Sequence, residues 1–302
     1  LEDKKAQSPV IDSVKDKIRA FVQIQNGCDH RCTFCIIPFG RGNSRSVEYS
    51  IIIEQIRNLI NKNYKEIVLT GVDLTSYGYD LDDKISLGQL IKKILYDAPE
   101  LNRLRLSSLD VAEIDPDLFD VIENESRLLP HIHLSLQAGD NMILKRMKRR
   151  HSRDDSINLI KKIRDLRPDV VFGSDFIAGF PTETEEMFQN TINLIKECNI
   201  TFLHVFPFSP RKGTPAARMP QVKGDIIKKR AEVLRQLAKK QITNYYKKLK
   251  DQKVSVIVES KNRGRTDNFA KISIPDNFKN GELINMIVTG HNDYGLTGRV
   301  VV

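Results

Sequence analysis

The feature that most constrains the fold is a regular alternation of short β-rich runs with amphipathic helical patterns over the first two thirds of the chain. The β-rich runs are residues 20–25, 66–71, 104–108, 131–136, 170–178 and 202–206. The helical patterns between them are residues 49–61, 87–97, 117–124, 153–166 and 183–197. Six strands that alternate with helices predict right-handed βα units and a parallel sheet, which can curl into a partial barrel. Ligands of such folds bind at the carboxyl ends of the strands, so site residues are sought there.

The pattern changes after Pro220. Residues 221–249 show a long helical pattern, and residues 220–253 hold eleven Lys or Arg against three acidic residues. Four further β-rich runs follow at residues 254–259, 269–274, 283–289 and 296–302, separated by turn residues. Strands at this spacing predict a small β-barrel. The predicted organisation is therefore a linker at residues 1–18, a partial barrel at 19–219, a basic connecting helix at 220–250 and a small all-β barrel at 251–302.

Composition limits the class of protein and of partner. The 302 residues are 40% hydrophobic and 29% charged, as in a soluble globular protein, and the formal net charge is +9. No apolar run approaches the roughly 18–20 residues of a membrane span, and no signal-peptide pattern is present, so a cytoplasmic protein with no membrane partner is predicted. The positive charge favours an anionic partner, and the basic helix is predicted to face nucleic-acid phosphates.

Three of the four cysteines form a tight group. Cys28, Cys32 and Cys35 follow the first predicted strand with the spacing C-x3-C-x2-C, whereas Cys198 is remote. A structural zinc site uses four closed ligands, usually in two separated pairs, whereas a 4Fe–4S cluster is held by one thiolate per iron. Three thiolates would leave one iron open for chemistry; a zinc site completed by a histidine is the alternative. Cys198 ends an apolar helical face and is predicted to be a buried core residue.

The cysteine spacing, with Phe34 immediately before Cys35, resembles the signature of the radical S-adenosylmethionine (SAM) superfamily. The resemblance implies a partial (β/α)6 TIM-like barrel with one 4Fe–4S cluster in this chain. It also implies that the amino and carboxylate groups of SAM chelate the open iron. One electron from the reduced cluster would then cleave the sulfonium to a 5′-deoxyadenosyl radical.

Further segments narrow the resemblance to the methylthiotransferases. These segments are residues 27–45 (GCDHRCTFCIIPFGRGNSR), 69–78 (LTGVDLTSYG), 131–140 (HIHLSLQAGD), 176–186 (FIAGFPTETEE) and 203–217 (LHVFPFSPRKGTPAA). Residues 281–283 and 296–298 are similar to the TRAM module of the same family, which implies a TRAM-like barrel that binds RNA.

Residues 204–215 (HVFPFSPRKGTP) are most similar to the branch that acts on threonylcarbamoyladenosine. That branch implies a transferase that methylthiolates carbon two of N6-threonylcarbamoyladenosine, next to the tRNA anticodon, with a flavodoxin-like or ferredoxin-like electron donor. The alternatives are a methylthiotransferase of isopentenyladenosine in tRNA or of a ribosomal protein, the latter disfavoured by the basic tail, and a non-catalytic RNA-binding metal protein.

The resemblance also implies an N-terminal domain with three more cysteines and a second 4Fe–4S cluster, which this sequence lacks. Because the chain begins at Leu1, we expect that this domain was removed. As it stands, the chain is expected to cleave SAM and to produce little methylthiolated tRNA.

The resemblance assigns site residues as follows. The predicted cluster ligands are Cys28, Cys32 and Cys35. The predicted SAM-binding residues are Phe34, Thr70, Gly71, Asp73, Ser108, Ser135, Gln137, Gly179 and Pro181. The predicted contacts to substrate RNA are Arg41, Arg45, Arg149, Lys239 and Lys240. Two expectations come from the residues alone: Thr182 and Glu185 form a capping box at the start of a helix, and His131 and His133 line the barrel without binding a metal.

Overall fold

The computed structural model describes residues 18–301. Of the predicted linker, all but Ile18 lies outside the described residues. Among the described residues, no helix is both long and apolar enough to cross a membrane.

Residues 18–219 alternate strands with helices, as predicted. The elements in chain order are β1 (Arg19–Gln23), β2 (Gln25–Asn26), α1 (Ile37–Arg41), β3 (Arg45–Ser46), α2 (Tyr49–Asn61), β4 (Glu66–Thr70), α3 (Leu87–Asp97), β5 (Arg103–Leu106), α4 (Pro116–Asn124), β6 (His131–Gln137), α5 (Asn141–Met147), α6 (Arg153–Leu166), β7 (Val171–Ala178), α7 (Glu185–Glu197) and β8 (Phe202–Pro207). The six long predicted strands and their helices are confirmed, with ends within two residues. The short elements α1, α5, β2 and β3 were not predicted.

The six long strands run parallel in the order β1, β4, β5, β6, β7, β8. Isolated bridges from Leu104 to Leu128 and from Leu109 to Leu134 join the two three-stranded halves. Within residues 18–301, no pairing connects β8 back to β1. The sheet is therefore an arc that stays open on one side, which confirms the predicted partial barrel.

The helices form where the apolar spacing and the capping residues agree. In α3, Leu87, Leu90, Ile91 and Ile94 repeat at helical spacing, and all four are buried in the main core. Ser86 begins this helix with a capping box, in which its side chain accepts from the Gln89 amide and the Gln89 side chain accepts from the Ser86 amide. Such helices cover the outer face of the arc.

The predicted capping box at Thr182 is wrong. Helix α7 begins two residues later, and Thr184 is its N-cap, with its hydroxyl accepting from the Met187 amide at 3.3 Å. Thr182 has φ +67°, a left-handed conformation that lies outside the range of an N-cap. The sequence pattern was ambiguous because Thr182 and Thr184 are both threonines. Glu185, three residues after Thr182, completes the pattern of a capping box, whereas the true N-cap Thr184 is followed by Met187 at that spacing.

The C-terminal part consists of one long helix and a closed barrel. Its elements are α8 (Gly224–Lys248), β9 (Lys253–Ser260), β10 (Arg263–Thr266), β11 (Lys271–Ser273), β12 (Leu283–His291) and β13 (Leu296–Val300). The barrel closes in the order β10, β11, β13, β12, β9, around a core separate from that of the partial barrel. The predicted small β-barrel is confirmed, but it has five strands, because β10 is a short polar strand that shows no hydrophobic alternation.

A buried charge cluster joins the small barrel to the amino ends of β4 and β5. Glu66 is 0% exposed and accepts from the Nε atoms of Arg103 and Arg105, each at 2.8 Å. Arg103 also pairs with Asp267 of the small barrel, and the Arg105 guanidinium lies 5.2 Å from the centre of the Phe269 ring. Each charge therefore has a partner, and the small barrel covers this end of the arc.

Candidate functional site

The cysteine loop lies between β2 and β3, beyond the carboxyl end of β1. Gly27 has φ +76°, and a Cβ there would lie 1.9 Å from the carbonyl oxygen of Asn43, so only glycine fits. The Cys28 amide donates to the Gly42 carbonyl at 3.1 Å, and the Thr33 amide donates to the Met147 carbonyl at 3.0 Å. These contacts hold the loop against the turn before β3 and against the end of α5.

The three thiols lie close enough to interact electrostatically, and each is half-buried. Burial raises the pKa of Cys28 to about 12, and the nearby Asp73, Cys32 and Cys35 add to this effect. Burial and Cys32 likewise raise the pKa of Cys35. Such thiols become thiolates when a metal replaces their protons, so this donor set fits a thiolate-held metal group.

Arg149 lies beside the thiols. Its Nη1 is 3.7 Å from Cys32 Sγ, and its Nη2 donates to Asp110 Oδ2 and to the Ser135 carbonyl, each at 2.7 Å. The side chain is 7% exposed and its guanidinium is already paired, which argues against the predicted contact of Arg149 with an RNA phosphate. Its charge can offset the negative charge of three thiolates.

His30 does not complete a site with all three thiols. Its Nε2 lies 2.8 Å from Asp73 Oδ2 and 3.5 Å from Glu113 Oε2, and these hydrogen bonds raise the pKa of His30 to about 10. Cys28, His30 and Asp73 have ligand atoms within 4.8 Å of one another, a group that leaves out Cys32 and Cys35. The geometry therefore does not favour the alternative of a zinc site made of three cysteines and a histidine.

Two of the predicted SAM residues lie in the turn after β4. The Gln25 side chain holds this turn, because its Oε1 accepts from the Val72 and Asp73 amides at 2.9 and 2.8 Å. A Cβ at Gly71 would lie 2.8 Å from the same Oε1, so a side chain there would displace the Gln25 amide that holds the turn. Asp73 is 7% exposed and its carboxylate faces Cys28 and His30. Gln25 was missed because a single glutamine at a strand end carries no pattern.

The ends of β4, β5 and β6 carry the other predicted polar residues. Thr70, Ser108, Ser135 and Gln137 are all half-buried. The neighbouring Ser107 Oγ is buried with no hydrogen-bond partner in the described part of the chain. An orphaned hydroxyl at a strand's carboxyl end fits a polar ligand bound there.

Phe34 and the turn after β7 form an apolar wall. The Phe34 ring packs edge-on against Phe180, with centroids 6.5 Å apart. Gly179 has φ +74°, and a Cβ there would lie 2.5 Å from Ile227 of α8, which is a packing reason for this glycine. Pro181 is buried in the same turn.

Cys198 was predicted to be a buried core residue. Its side chain is 3% exposed and packs in the main core, which confirms the prediction.

The remaining predicted RNA contacts lie on the surface. Arg41, Lys239 and Lys240 are exposed, and Arg45 is half-buried with its Nη2 donating to the Arg41 carbonyl at 3.0 Å. One member of the basic helix is an exception: Arg230 is 6% exposed and pairs with Glu183 at 2.8 Å, so it does not face a phosphate.

A cleft of about 970 Å³ lies between β8, α8 and the small barrel. Its lining combines cations with aromatic rings, including Lys239, Arg265, Phe269, Lys271 and Tyr294. Cations and aromatic rings together suit a nucleic acid, with cations for phosphates and rings for base stacking.

Comparisons with known proteins agree with this geometry. The profile of the Radical SAM superfamily matches residues 22–195. The chain is 50% identical over 281 residues to the threonylcarbamoyladenosine tRNA methylthiotransferase MtaB of Rickettsia prowazekii, covering 93% of this chain and 67% of the relative. The identity to the protein of the same name from Aquifex aeolicus is 37%, covering 90% and 66%. The tRNA-2-methylthio-N(6)-dimethylallyladenosine synthase of Clostridium tetani is 36% identical, covering 95% and 65%. The chain thus spans about two thirds of the length of these relatives.

Solved structures share the fold at low sequence identity. Methylornithine synthase (PylB) matches with a TM-score of 0.53 at 14% identity, covering 74% of this chain and 62% of that chain. Coproporphyrinogen III oxidase (HemN) from Escherichia coli, described as a radical SAM enzyme, has a TM-score of 0.53 at 14% identity, covering 75% and 53%. Both confirm the fold of the partial barrel.

Proposed function

The chain belongs to the radical SAM superfamily and, within it, to the tRNA methylthiotransferases, and from this premise we propose that it cleaves SAM reductively to methylthiolate tRNA. The observation that carries the proposal is the group of three half-buried thiols on one loop at the carboxyl ends of the strands. A 4Fe–4S cluster, when bound, supplies the electron that breaks a carbon–sulfur bond of SAM.

The residues of this chain position and shield that chemistry. We assign Cys28, Cys32 and Cys35 as the cluster ligands. Gln25 holds the turn of Gly71 and Asp73 through two backbone hydrogen bonds, which fixes the floor of the SAM pocket. The remaining proposed SAM contacts are Phe34, Thr70, Ser108, Ser135, Gln137, Gly179 and Pro181. The apolar wall that includes Phe34 excludes water, which protects a reactive species from side reactions.

The proposed substrate is N6-threonylcarbamoyladenosine next to the anticodon of tRNA, modified at carbon two. The 50% identity to the Rickettsia relative of that name, against 36% to the dimethylallyladenosine synthase, supports this choice. The net charge of +9 and the cleft beside Lys239 support an RNA partner. The TRAM-like role of the small barrel, a cytoplasmic location, a flavodoxin-like or ferredoxin-like electron donor and a second cluster in a further domain remain parts of the proposal.

Anaerobic reconstitution tests the cluster. We expect about four irons per chain and release of 5′-deoxyadenosine from SAM under reduction. Cys32→Ala is expected to abolish both, because one thiolate ligand is lost. The matched control is Cys198→Ala, which removes a thiol from the core and should retain iron and activity. One zinc per chain without iron would contradict the proposal.

Nucleoside mass analysis tests the substrate. In tRNA from a strain that lacks the gene, threonylcarbamoyladenosine should lose its methylthio group, while methylthiolated isopentenyladenosine should stay at its normal level. The opposite pattern would keep the enzyme class but overturn the substrate.

A further inference from the structure

A second group of metal-ligating side chains lies away from the cysteine loop, on three adjacent strands. His133 lies on β6, Asp175 on β7 and His204 on β8, and Asp175 is the direct register partner of His204. Asp175 Oδ1 lies 3.0 Å from His133 Nε2 and 3.2 Å from His204 Nδ1. All three ligand atoms lie within 4.8 Å of one another.

We propose that His133, Asp175 and His204 bind a divalent cation of the zinc class, with water or another oxygen ligand in the remaining position. Two imidazoles and one carboxylate are a ligand set that zinc uses in sites with an open position. Zinc bonds to nitrogen and oxygen of about 2.0–2.1 Å in a tetrahedron place ligand atoms roughly 3.3 Å apart. The distances of 3.0 and 3.2 Å to Asp175 Oδ1 lie near this edge length.

The strand pattern separates this group from the main core. Ile132, Leu134 and Leu136 of β6 lie in the main core, so the alternating His131 and His133 point to the opposite, inner face of the arc. His131 is covered by Phe269 of the small barrel, with ring centroids 4.5 Å apart, whereas His133 faces His204 at 4.7 Å. On the inner face, His131 is therefore covered by the small barrel, whereas His133, two residues further along β6, is paired with His204.

The exposure of the three side chains increases from β6 to β8, which gives a cation a path to the group from solvent. The His133 side chain is 9% exposed, Asp175 is 21% exposed and His204 is 57% exposed. A cation could thus reach the group from the open edge at β8 and keep one position toward solvent. Gly173 makes room for the inner ring, since a Cβ there would lie 2.7 Å from His133 Nδ1.

The group is distinct from the cluster site. His133 precedes Ser135 by two residues on β6, and at a rise of about 3.3 Å per residue this places it about 7 Å further from the carboxyl end. Its ligands contain no sulfur, so spectroscopy can separate a cation here from one held by the cysteine loop.

The test uses the cluster-loaded protein, titrated with zinc and desalted before metal analysis. We expect one zinc per chain in addition to the cluster. X-ray absorption at the zinc edge should show nitrogen and oxygen ligands near about 2.0–2.1 Å and no sulfur near about 2.3 Å. This readout is independent of SAM cleavage.

Variants assign the ligands. His204→Gln changes an exposed side chain and should weaken zinc binding by more than about 100-fold, since loss of even the outer partners of a ligand costs 10–100-fold. The matched control His291→Gln alters another exposed histidine and should bind zinc as the unmodified protein does. Asp175→Asn keeps the side-chain shape, removes the anionic ligand and should behave as His204→Gln does. The thermal unfolding of each variant is measured first. If Asp175→Asn does not fold, the zinc affinity of His204→Gln alone tests the proposal.

Three outcomes would overturn the proposal: no zinc retained by the cluster-loaded protein, zinc ligated by sulfur, or equal zinc affinity in His204→Gln and the control. In each of these cases, the group would be a hydrogen-bonded network in which one carboxylate oxygen accepts from two imidazoles.

Discussion

The two ends of the partial barrel use buried polar groups in opposite ways. At the amino end, Glu66 is surrounded by Arg103 and Arg105, and the small barrel closes over them. At the carboxyl end, burial raises the pKa of Cys28 and of Cys35, and Ser107 Oγ has no partner in the described part of the chain. The charges at the amino end are paired with one another across the interface, so breaking one pair is costly, whereas the unpartnered hydroxyl at the carboxyl end fits a ligand that binds there.

The largest expected effect concerns the paired end. Glu66→Gln leaves the buried Arg105 guanidinium without an anion and leaves Arg103 with Asp267 alone. It should lower the free energy of unfolding by about 3 kcal/mol or more, because breaking a buried pair leaves an uncompensated charge. Urea denaturation measures this. The control Lys92→Met removes an exposed partner of Asp117 and Asp120 and should leave the stability nearly unchanged. Equal stability of the two variants would show that the amino end is not held together by its charges.

The same cluster predicts an acid dependence. Burial alone would raise the pKa of Glu66, but the attraction of Arg105 and Arg103 outweighs it and lowers the pKa below its ordinary value of 4.5. A lowered folded-state pKa means that the stabilisation is fully present above the unfolded-state pKa and is lost as the pH falls through the folded-state value. The stability difference between the unmodified protein and Glu66→Gln should therefore be constant near pH 7 and shrink below about pH 4.5. A difference that grew on acidification would reverse the assigned sign.

A smaller effect is expected at the carboxyl end. Arg149→Met removes the cation that lies 3.7 Å from Cys32 Sγ and should make the reduction potential of the cluster more negative, by an amount on the order of tens of millivolts. The reason is that a positive charge favours the reduced, more negative cluster. Redox titration followed by electron paramagnetic resonance measures it. Arg153→Met, whose guanidinium pairs with Glu197 instead, should leave the potential unchanged.

The smallest effect concerns backbone strain beside the candidate SAM pocket. Thr182 has φ +67°, which is unfavourable for a β-branched residue, so Thr182→Gly should raise the free energy of unfolding by roughly 0.5–1 kcal/mol. Thr184→Gly, at the N-cap of α7, should lower it by a few tenths of a kcal/mol. Thermal unfolding with both variants checks the opposite signs; a loss of stability in Thr182→Gly would mean that its side-chain contacts outweigh the strain.

Much of the fold could be predicted because its information is local. The six long strands and the helices α2, α3 and α6, which have four to fourteen residues each, follow from apolar periodicity, and their observed ends are close to the predicted ones. The short helices α1 and α5 escaped prediction, since five or seven residues hold too few turns to show a period. The strand β10 escaped because its residues, RGRT, are held by the barrel pairing rather than by their own propensity.

The candidate site was predictable only in part, for the same reason. Cys28, Cys32 and Cys35 lie within eight positions, so their grouping is visible in the sequence. Arg149 and Gln25 join them from distant segments, and the burial of Arg149 argues against its predicted contact with RNA. His133 was predicted to line the barrel without binding a metal. Its neighbours in the group are not visible in the sequence, because Asp175 lies 42 residues from His133 and His204 lies 29 residues from Asp175.

The sequence alone determined the alternation of strands and helices, the trio of thiols and the basic C-terminal helix, because each depends on residues that are neighbours along the chain. Only the tertiary structure decided which charges are paired, that the Ser107 hydroxyl finds no partner among the described residues, and which histidines face a common carboxylate. These properties depend on the distance between strands and on exclusion of water, and both arise only when the strands have assembled into the arc around its polar interior.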